Sequence, residues 1–253
     1  MAIITAERVS RDPSDNFVFQ RSLLAYHYAA QLIDGGDVLE VGTGSGYGVD
    51  IIAPRADRFV TMDKQPPAID NLPSNCEVIR AVAPKLPFGD NSFDWVVTFQ
   101  VIEHIDNDSE FIAEIARVLR PTGCLIISTP NAPMSLTRNP WHVREYTAEQ
   151  FTTLLSSSFT NVTAKGVAGD SKIMEYYQRN REGVERITRF DIFDLQHRLP
   201  RQLLQLPYDI LNRLNRRRLL RQNHDLTTQI ELDNYTISND LDIAFDLLYT
   251  ARR

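Results

Sequence analysis

The sequence predicts an α/β fold in which a mostly parallel sheet of seven strands carries helices on both faces. Short apolar runs alternate with stretches of helical periodicity through most of the first 170 residues. This alternation is typical of parallel strands joined by crossover helices. A glycine-rich turn follows the first apolar run directly, and ligands of open α/β sheets bind at the carboxyl ends of the strands. We therefore expect a ligand site at that edge.

The strands are predicted from short runs of apolar, largely β-branched and aromatic residues. They cover residues 37–41, 58–63, 76–81, 93–100, 124–130 and 159–167, with a seventh within 241–253. Both cysteines, Cys76 and Cys124, fall in these runs, so we expect reduced thiols rather than a disulfide framework.

Helical periodicity and capping signals predict the intervening helices. They cover residues 16–33, the stretch from the glycine turn to about residue 53, and residues 66–72, 107–120 and 147–158. The fourth places Phe111, Ile112 and Ile115 on one stripe and is followed by a Pro-Thr-Gly stop signal. The fifth begins with Thr147 and Gln150, which have the spacing of a capping box.

Composition bounds the class of protein. At 253 residues and 43% hydrophobic content, the chain can bury one full core and carry a smaller appendage. No stretch of about 18 uncharged apolar residues is present, and the first 20 residues do not have the pattern of a secretory signal. The sequence therefore predicts a cytoplasmic protein.

Charge is distributed unevenly and marks a boundary near residue 170. Residues 1–170 carry 13 basic and 21 acidic side chains, whereas residues 171–253 carry 14 and 12. Residues 198–221 contain seven arginines and a single acid, Asp209. We predict a ligand-binding core at 1–170, a helical insertion at 171–235 and the last strand of the core within 236–253.

The turn after the first strand does not fit a dinucleotide site. It reads Glu-x-Gly-x-Gly-x-Gly, at Glu40, Gly42, Gly44 and Gly46. A dinucleotide fingerprint needs glycine at positions 1, 3 and 6, but Tyr47 or Val49 occupies the sixth position in the two possible registers. No Gly-Lys-Ser/Thr follows, so the turn is not a phosphate-binding P-loop either.

This turn resembles the first motif of the class I S-adenosylmethionine-dependent methyltransferases. The segment from residue 81 to residue 131, with its Leu-Pro-Phe, Ser-Phe-Asp, Val-Ile-Glu-His-Ile and Val-Leu-Arg-Pro-Thr-Gly strings, is similar to the ubiquinone/menaquinone-type (type 11) subgroup. The resemblance covers about residues 20–170. It implies a Rossmann-like fold, S-adenosylmethionine as cofactor and methyl transfer as the activity.

The resemblance also implies which residues hold the cofactor. These are Glu40, Gly42, Gly44 and Gly46 at the first strand, Asp63 at the second, Val82 and Ala83 after the third, and Phe99 and Gln100 at the fourth. Asp63 would accept hydrogen bonds from the ribose hydroxyls. Val82 stands where family members often carry an acid for the adenine amino group, and losing that bond weakens binding by roughly 1.5–3 kcal/mol. Alternatively, Glu40 and Asp63 only cap neighbouring helices.

Two histidines are candidates for the base that a hydroxyl acceptor needs. His104 follows the fourth strand and His142 follows the fifth. His104 could instead order the cofactor loop, and Arg144 could pair with Glu145 simply to fix the second loop. The string from His142 to Thr147 resembles methyltransferases found alongside polysaccharide-building glycosyltransferases, where acceptors are rich in hydroxyl groups.

We therefore expect O-methylation of a sugar-like or similarly polyhydroxylated acceptor. Three alternatives stay open: a quinone or phenol O-methyltransferase, an amino-sugar N-methyltransferase, and a module that binds S-adenosylmethionine without turnover. Some quinone-pathway relatives have Glu-x-x-Glu-His at this place and use a divalent ion, but Gln100 replaces the first acid here. Glu103 and His104 alone are too few ligands for such a cation, so we predict no metal.

The insertion at 171–235 would lie over the acceptor site as a lid, with two helices separated by Pro200. The arginines near 213–221 have three interpretations: a solvated face, contact with an anionic acceptor such as a sugar nucleotide or lipid-linked sugar, or contact with an anionic membrane surface. Nucleic acid is disfavoured because the pI is near 5.4. Tyr26, His27 and Tyr28 of the first helix either cover the cofactor or belong to the core.

Overall fold

The computed structural model describes residue 9, residues 11–189 and residues 199–253, and it contains one mixed sheet. The strands are β1 (Asp37–Val41), β2 (Arg58–Asp63), β3 (Cys76–Arg80), β4 (Phe93–Phe99), β5 (Leu119–Pro130), β6 (Asn161–Gly169), β7 (Tyr235–Ser238) and β8 (Asp246–Arg252). Their order is β3-β2-β1-β4-β5-β8-β6-β7. Neighbours among β1–β5 are parallel, β8 is antiparallel to β5 and β6, and β7 is antiparallel to β6.

The predicted count of seven strands is wrong, because the sheet has eight. The additional strand is β7, in which Tyr235 pairs with Gly169 and Ser238 pairs with Gly166. The chain returning from the insertion runs along the otherwise open edge of β6. A stretch of four residues has too little periodicity for the sequence to distinguish it from a loop.

The helices lie on both faces of the sheet, as predicted. They are α1 (Asn16–Leu32), α2 (Val49–Ile52), α3 (Asp108–Val118), α4 (Ala148–Leu155), α5 (Ser171–Thr188), α6 (Arg201–Gln222) and α7 (His224–Thr228). One buried cluster joins the sheet to α3 and α4, and a second joins its other face to α1, α2 and α5. The predicted capping box of α4 is present, with Thr147 and Gln150 bonded reciprocally.

Two local predictions are wrong. Residues 66–72 are not helical, because adjacent prolines at 66 and 67 lack backbone donors and disfavour helical backbone in the residue before each. The fifth strand begins at Leu119 rather than at residue 124, since Leu119 already pairs with Phe93 of β4. The chain thus enters the strand before the Pro-Thr-Gly signal.

Helices α5 and α6 come from the insertion and pack beside the carboxyl ends of the strands. Pro200 is the N-cap of α6, as expected, while the part of the preceding predicted helix beyond residue 189 lies outside the described residues. Asn215 donates to Asn180 of α5 at 2.7 Å, and Arg216 pairs with Asp15 at 2.6 Å. Within the described ranges, no helix has both the length and the apolar composition needed to cross a membrane.

Candidate active site

Glu40 is a buried carboxyl group at the end of β1, with 1% of its surface exposed. The hydroxyl of Tyr26 donates to its Oε1 at 2.7 Å, and the hydroxyl of Thr61 donates to its Oε2. Burial raises the pKa of Glu40 to about 7, although both hydrogen bonds oppose this shift. Nearby Asp63 adds to the increase. The site therefore holds an acid whose negative charge has no cation beside it among the described contacts.

The glycine turn needs glycine for two different reasons. At Gly42 (φ +98°), a Cβ atom would lie 2.3 Å from Cγ2 of Val101, so the backbone passes too close for any side chain. At Gly44 (φ +57°), a Cβ would meet nothing closer than 4.0 Å. The Gly44 N–H donates to Oδ2 of Asp63 at 3.0 Å. The turn therefore leaves open space beside Gly44, where a ligand can approach the backbone.

The predicted ribose and adenine residues lie next to this turn. Asp63 ends β2 and also accepts from the backbone N–H of Gln65 at 2.8 Å. The N–H of Ala81 donates to the Asp63 carbonyl at 3.1 Å, which brings Val82 and Ala83 to the same edge. Val82 is 68% exposed, so its side chain is available to an apolar ligand surface.

Phe99 and Gln100 stand at the end of β4. The Phe99 ring packs edge-to-face on Tyr26, with centroids 4.7 Å apart. Gln100 has φ +57°, in the left-handed region that non-glycine residues seldom adopt. Its N–H donates to the Ser128 carbonyl at 3.0 Å. Such backbone strain is typical of functional sites.

Of the three aromatic candidates in α1, only Tyr26 reaches the site. Its ring occupies the space beside Gly48, where a Cβ would lie 2.0 Å from the Tyr26 ring. His27 is exposed and Tyr28 is half-buried. Helical periodicity could have found this, because Ser22, Tyr26 and Ala29 form one buried stripe of α1.

A cavity of about 640 Å³ opens beyond Gln100. It is enclosed by α1, the loops that follow β4 and β5, α5 and α6. Its walls combine aromatic rings, amides and arginines, including Phe17, Arg21, Arg138, Asn139, Tyr176, Tyr177, Asn180, Tyr208, Asn212, Asn215, Arg216 and Phe245. Both candidate histidines line it, whereas Gln100 is the only predicted cofactor residue that does.

His142 is held by hydrogen bonds at both ring nitrogens. Nδ1 lies 2.6 Å from Oε1 of Glu145, and Nε2 lies 2.9 Å from Nδ2 of Asn139. Oδ1 of Asn139 accepts from the N–H of Trp141, which orients the amide so that Nδ2 donates to Nε2. The ring therefore carries its proton on Nδ1, and Nε2 has the lone pair.

The alternative in which Arg144 pairs with Glu145 is not what the structure shows. Arg144 instead binds Asp108 of α3 at 2.5 Å, and the hydroxyl of Tyr146 donates to the same carboxylate at 2.9 Å. Glu145 accepts from Ser135 and His142. The two neighbours therefore have different partners, and Glu145 orients the histidine.

His104 lies against His142, with ring centroids 4.9 Å apart. Its Nδ1–H donates to the Trp141 carbonyl at 3.1 Å, so the neutral ring also has its lone pair on Nε2. The neighbouring Glu103 is 1% exposed and accepts from Thr129. One possible ligand atom each from Glu103, His104 and His142 lies within 4.8 Å of the others. The prediction of no metal counted only two of these three residues.

Two polar contacts tie the insertion to the histidine loop. The indole N–H of Trp141 donates to Asp209 of α6 at 3.0 Å, and the hydroxyl of Tyr177 of α5 donates to the Met134 carbonyl at 3.2 Å. The composition of residues 198–221 indicates an arginine-rich segment with one acid, Asp209. In the structure, Asp209 holds α6 against the loop that carries His142.

An ion pair at the cavity wall was not predicted from the sequence. Arg21 of α1 lies 2.8 Å from Asp246 of β8, and both side chains are largely buried. Burial raises the pKa of Asp246, and the nearby Arg21 opposes that shift. The two residues come from distant parts of the chain, so only the fold brings them together.

We predict that Gly42→Ala destabilises the protein by about 1–3 kcal/mol, because the new Cβ overlaps Val101 at a strained backbone angle. Thermal unfolding measures the effect. Gly89→Ala is the matched control, since its Cβ would make only an ordinary contact of 3.5 Å with Ser92. Adding Val101→Ala to Gly42→Ala should restore part of the loss, and equal melting temperatures for the two alanine variants would contradict the prediction.

Comparison with known proteins agrees with the sequence resemblance at the level of the domain. Residues 39–127 match the family described as "Methyltransferase domain". A Mycobacterium tuberculosis protein named "Probable S-adenosylmethionine-dependent methyltransferase" is 39% identical over 174 residues, covering 65% of this chain and 64% of the relative. The chain thus spans slightly less than two thirds of that relative's length.

More distant matches are consistent with the same domain. The mitochondrial ubiquinone biosynthesis O-methyltransferase of Arabidopsis thaliana is 28% identical over 134 residues, covering 46% of this chain and 40% of that protein. A SAM-dependent methyltransferase structure from Thermotoga maritima has a TM-score of 0.56 at 12% identity, covering 93% of this chain and 91% of the other. The structural likeness shows the fold alone. Residues 39–127 are therefore similar to methyltransferase domains, and the Mycobacterium tuberculosis relative is named as one that depends on S-adenosylmethionine.

Proposed function

We propose that this chain transfers a methyl group from S-adenosylmethionine to a hydroxyl group of a sugar-like or similarly polyhydroxylated acceptor. The observation that carries the proposal is the His142–Glu145 pair, which lies beside His104 in the wall of the cavity. A carboxylate that orients a histidine is the arrangement expected where a hydroxyl must lose its proton.

The residues around Glu40 fit the cofactor. S-adenosylmethionine carries an ammonium and a sulfonium group, and an uncompensated buried carboxylate favours a cationic ligand. The open space beside Gly44 and the nearby Asp63 suit its ribose and amino-acid parts. Glu40, the glycine turn, Asp63, Val82, Ala83, Phe99 and Gln100 would hold it. When bound, the cofactor supplies a methyl group that is already activated.

The protein's own task is then to orient the acceptor and remove its proton. Nε2 of His142 accepts a hydrogen bond from Asn139, and an acceptor hydroxyl would take the place of that amide. As the hydroxyl proton passes to Nε2, the Glu145 carboxylate at Nδ1 stabilises the imidazolium that forms. His104 has a neutral carbonyl at Nδ1 in place of a carboxylate, so His142 is the better base and His104 the neighbour that positions the acceptor.

The cavity wall suits a polyhydroxylated ligand. Asn180, Asn212 and Asn215 carry amides that both donate and accept, as sugar hydroxyls require. Tyrosine and phenylalanine rings provide apolar surface between these polar groups. Pockets of this volume are typical of small-molecule binding sites.

The insertion at 171–235 would act as a lid over this cavity. The Trp141–Asp209 hydrogen bond connects α6 to the loop that carries His142. Closing such a lid excludes water from the reacting groups and completes the site around the acceptor. Release of product would then require that this contact open.

A metal-assisted O-methylation, of the type used on quinols or phenols, is the second candidate. It is favoured by the convergence of Glu103, His104 and His142 on one point. The Trp141 carbonyl and Glu145 at the two Nδ1 atoms are the partners that metal-bound histidines commonly have. A divalent ion there would supply Lewis-acid chemistry in place of a histidine base.

The proposal is tested with methyl-labelled S-adenosylmethionine and a panel of nucleotide sugars, lipid-linked sugars, phenols and quinols. We expect label in a hydroxylated sugar acceptor and no loss of rate after treatment with EDTA. Label confined to phenols or quinols, with a rate that EDTA abolishes and Mg²⁺ restores, would support the metal-assisted alternative. No transfer to any acceptor, with cofactor binding intact, would favour a module that binds without turnover.

We predict that His142→Ala lowers kcat by about 10²- to 10⁴-fold while cofactor binding is unchanged, because the proton acceptor is lost. Glu145→Gln should lower kcat less and move the acid limb of the pH–rate profile to lower pH, since the imidazolium loses its counter-charge. Exposed His224 supplies the control variant, His224→Ala. If His104→Ala were the more damaging substitution, the two roles would be exchanged.

We predict that cofactor affinity rises between pH 5.5 and pH 7, by up to about tenfold per pH unit. Without ligand, Glu40 holds its proton up to about pH 7, whereas a bound cation favours the ionised form, so binding releases a proton in this range. Calorimetry in buffers of different ionisation enthalpy measures that release. Glu40→Gln should bind more weakly and lose the pH dependence, and an unaltered dependence would assign it to another group.

The same pKa predicts how the unliganded protein responds to pH. A folded-state pKa raised from 4.5 to about 7 means that the folded chain binds more protons than the unfolded chain between these values. The contribution of Glu40 to the free energy of unfolding is present in full below pH 4.5 and is lost as the pH rises to about 7. Saturating cofactor should therefore raise the melting temperature more at pH 7 than at pH 5.5.

A further inference from the structure

Helix α6 has four large apolar side chains on the face that points away from the rest of the molecule. Leu203, Leu206, Ile210 and Leu214 follow one another at intervals of three, four and four residues. Each is between 51% and 70% exposed. This spacing places them on a single stripe of the helix. Contiguous exposed apolar stripes of this kind mark interaction surfaces.

Arginines continue the same stripe toward the C-terminal end of the helix. Arg213, Arg217 and Arg221 follow at the same helical spacing and are exposed. Arg217 lies near Asp12, whereas Arg213 and Arg221 have no ion-pair partner within the described parts of the chain. We call these three arginines and the four apolar residues the outward face of α6. No acidic residue belongs to it.

The opposite side of α6 is the side that packs on the molecule, so the outward face has no packing role in the described parts of this chain. Tyr208, Asn212 and Asn215 line the cavity, and Asp209 is bound to Trp141. The inward side also has apolar residues, since Leu204, Pro207 and Leu211 line the cavity and Leu219 is buried. The helix is therefore already packed on that side, and the outward apolar residues are additional to those that hold it to the molecule.

Basic charge extends beyond the outward face into a neighbouring groove. This groove, about 280 Å³ in volume, lies between α5 and α6 and is lined by Arg179, Arg186 and Arg218 together with Glu182. Arg179 is engaged by Glu175 and Asn223, which leaves Arg186 and Arg218 without ion-pair partners in the described ranges. Basic side chains therefore lie both on the outward face and in the groove beside it.

We infer that the outward face of α6 docks on the surface of an anionic lipid bilayer, with the leucines among the acyl chains and the arginines at the headgroup phosphates. A helix of 22 residues, about 33 Å long, with apolar and basic residues on one side is the form such surface helices take. Since the inward side lines the cavity, docking holds that cavity next to the bilayer. This inference does not depend on the proposed transfer reaction.

A second copy of this chain fits the face less well. In an isologous pair with antiparallel helices, the leucine half would meet the arginine half, and with parallel helices the arginines would oppose one another. A nucleic acid would leave the four apolar side chains without a partner, and the whole chain carries a net charge of −6.

The test is flotation of the full chain with vesicles of phosphatidylcholine alone or with one quarter phosphatidylglycerol. We expect binding only to the anionic vesicles and loss of binding at high salt. Replacing Arg213, Arg217 and Arg221 by Gln should weaken binding by about a hundredfold, at about fivefold for each arginine. Leu206→Ser with Ile210→Ser should weaken it by about tenfold or more.

The matched control replaces Arg55, Lys64 and Lys85, which are exposed elsewhere, by Gln and changes the net charge equally. It should bind within about fivefold of the unmodified chain. Thermal unfolding of each variant checks that it is folded. The inference is overturned if the unmodified chain does not bind anionic vesicles, if the control loses as much affinity as the arginine variant, or if Leu206→Ser with Ile210→Ser abolishes self-association instead.

Discussion

A buried carboxyl group costs free energy unless its charge is compensated, and the carboxyl end of β1 is built around one such group, Glu40. Its two oxygens accept hydrogen bonds from Tyr26 of α1 and Thr61 of β2, so the acid joins three elements at one point. These neutral donors are not sufficient to keep it ionised, and burial raises its pKa to about 7. A cationic ligand would supply the missing compensation, which links folding of this region to binding. The N-terminal helix is thereby part of the site and not only a cover for the sheet.

The second half of the site depends on how two loops meet at the edge of a parallel sheet. The loops that follow β4 and β5 are fixed to each other by the Val143 N–H, which donates to the Glu103 carbonyl at 2.7 Å. Arg144 anchors the second loop to Asp108 of α3. His104 and His142 are consequently neighbours, each with its lone pair on Nε2. A nitrogen that ligates a metal cannot also take a proton, so the base and metal interpretations exclude one another at these atoms.

Helix α6 connects the cavity to the outside of the molecule. Its inward side presents Tyr208, Asn212 and Asn215 to the cavity, while its outward side carries leucines and arginines. The Trp141–Asp209 hydrogen bond joins this helix to the histidine loop. Any surface that holds the helix would therefore also influence the loop. The insertion is therefore more than a connection between two strands, because its helix α6 forms one wall of the cavity and binds the histidine loop.

The sequence by itself determined the alternation of strands and helices, the Glu-x-Gly-x-Gly-x-Gly turn and the start of α6 after Pro200. These features depend on local periodicity and on backbone conformations that only certain residues adopt, so they can be recognised without knowing what packs against them. Only the tertiary structure decided that β7 joins the sheet, that Arg144 binds Asp108, and that Glu103 and His104 meet His142. Each of these depends on which distant segments come together at the ends of the strands, and residue spacing along the chain contains no information about that.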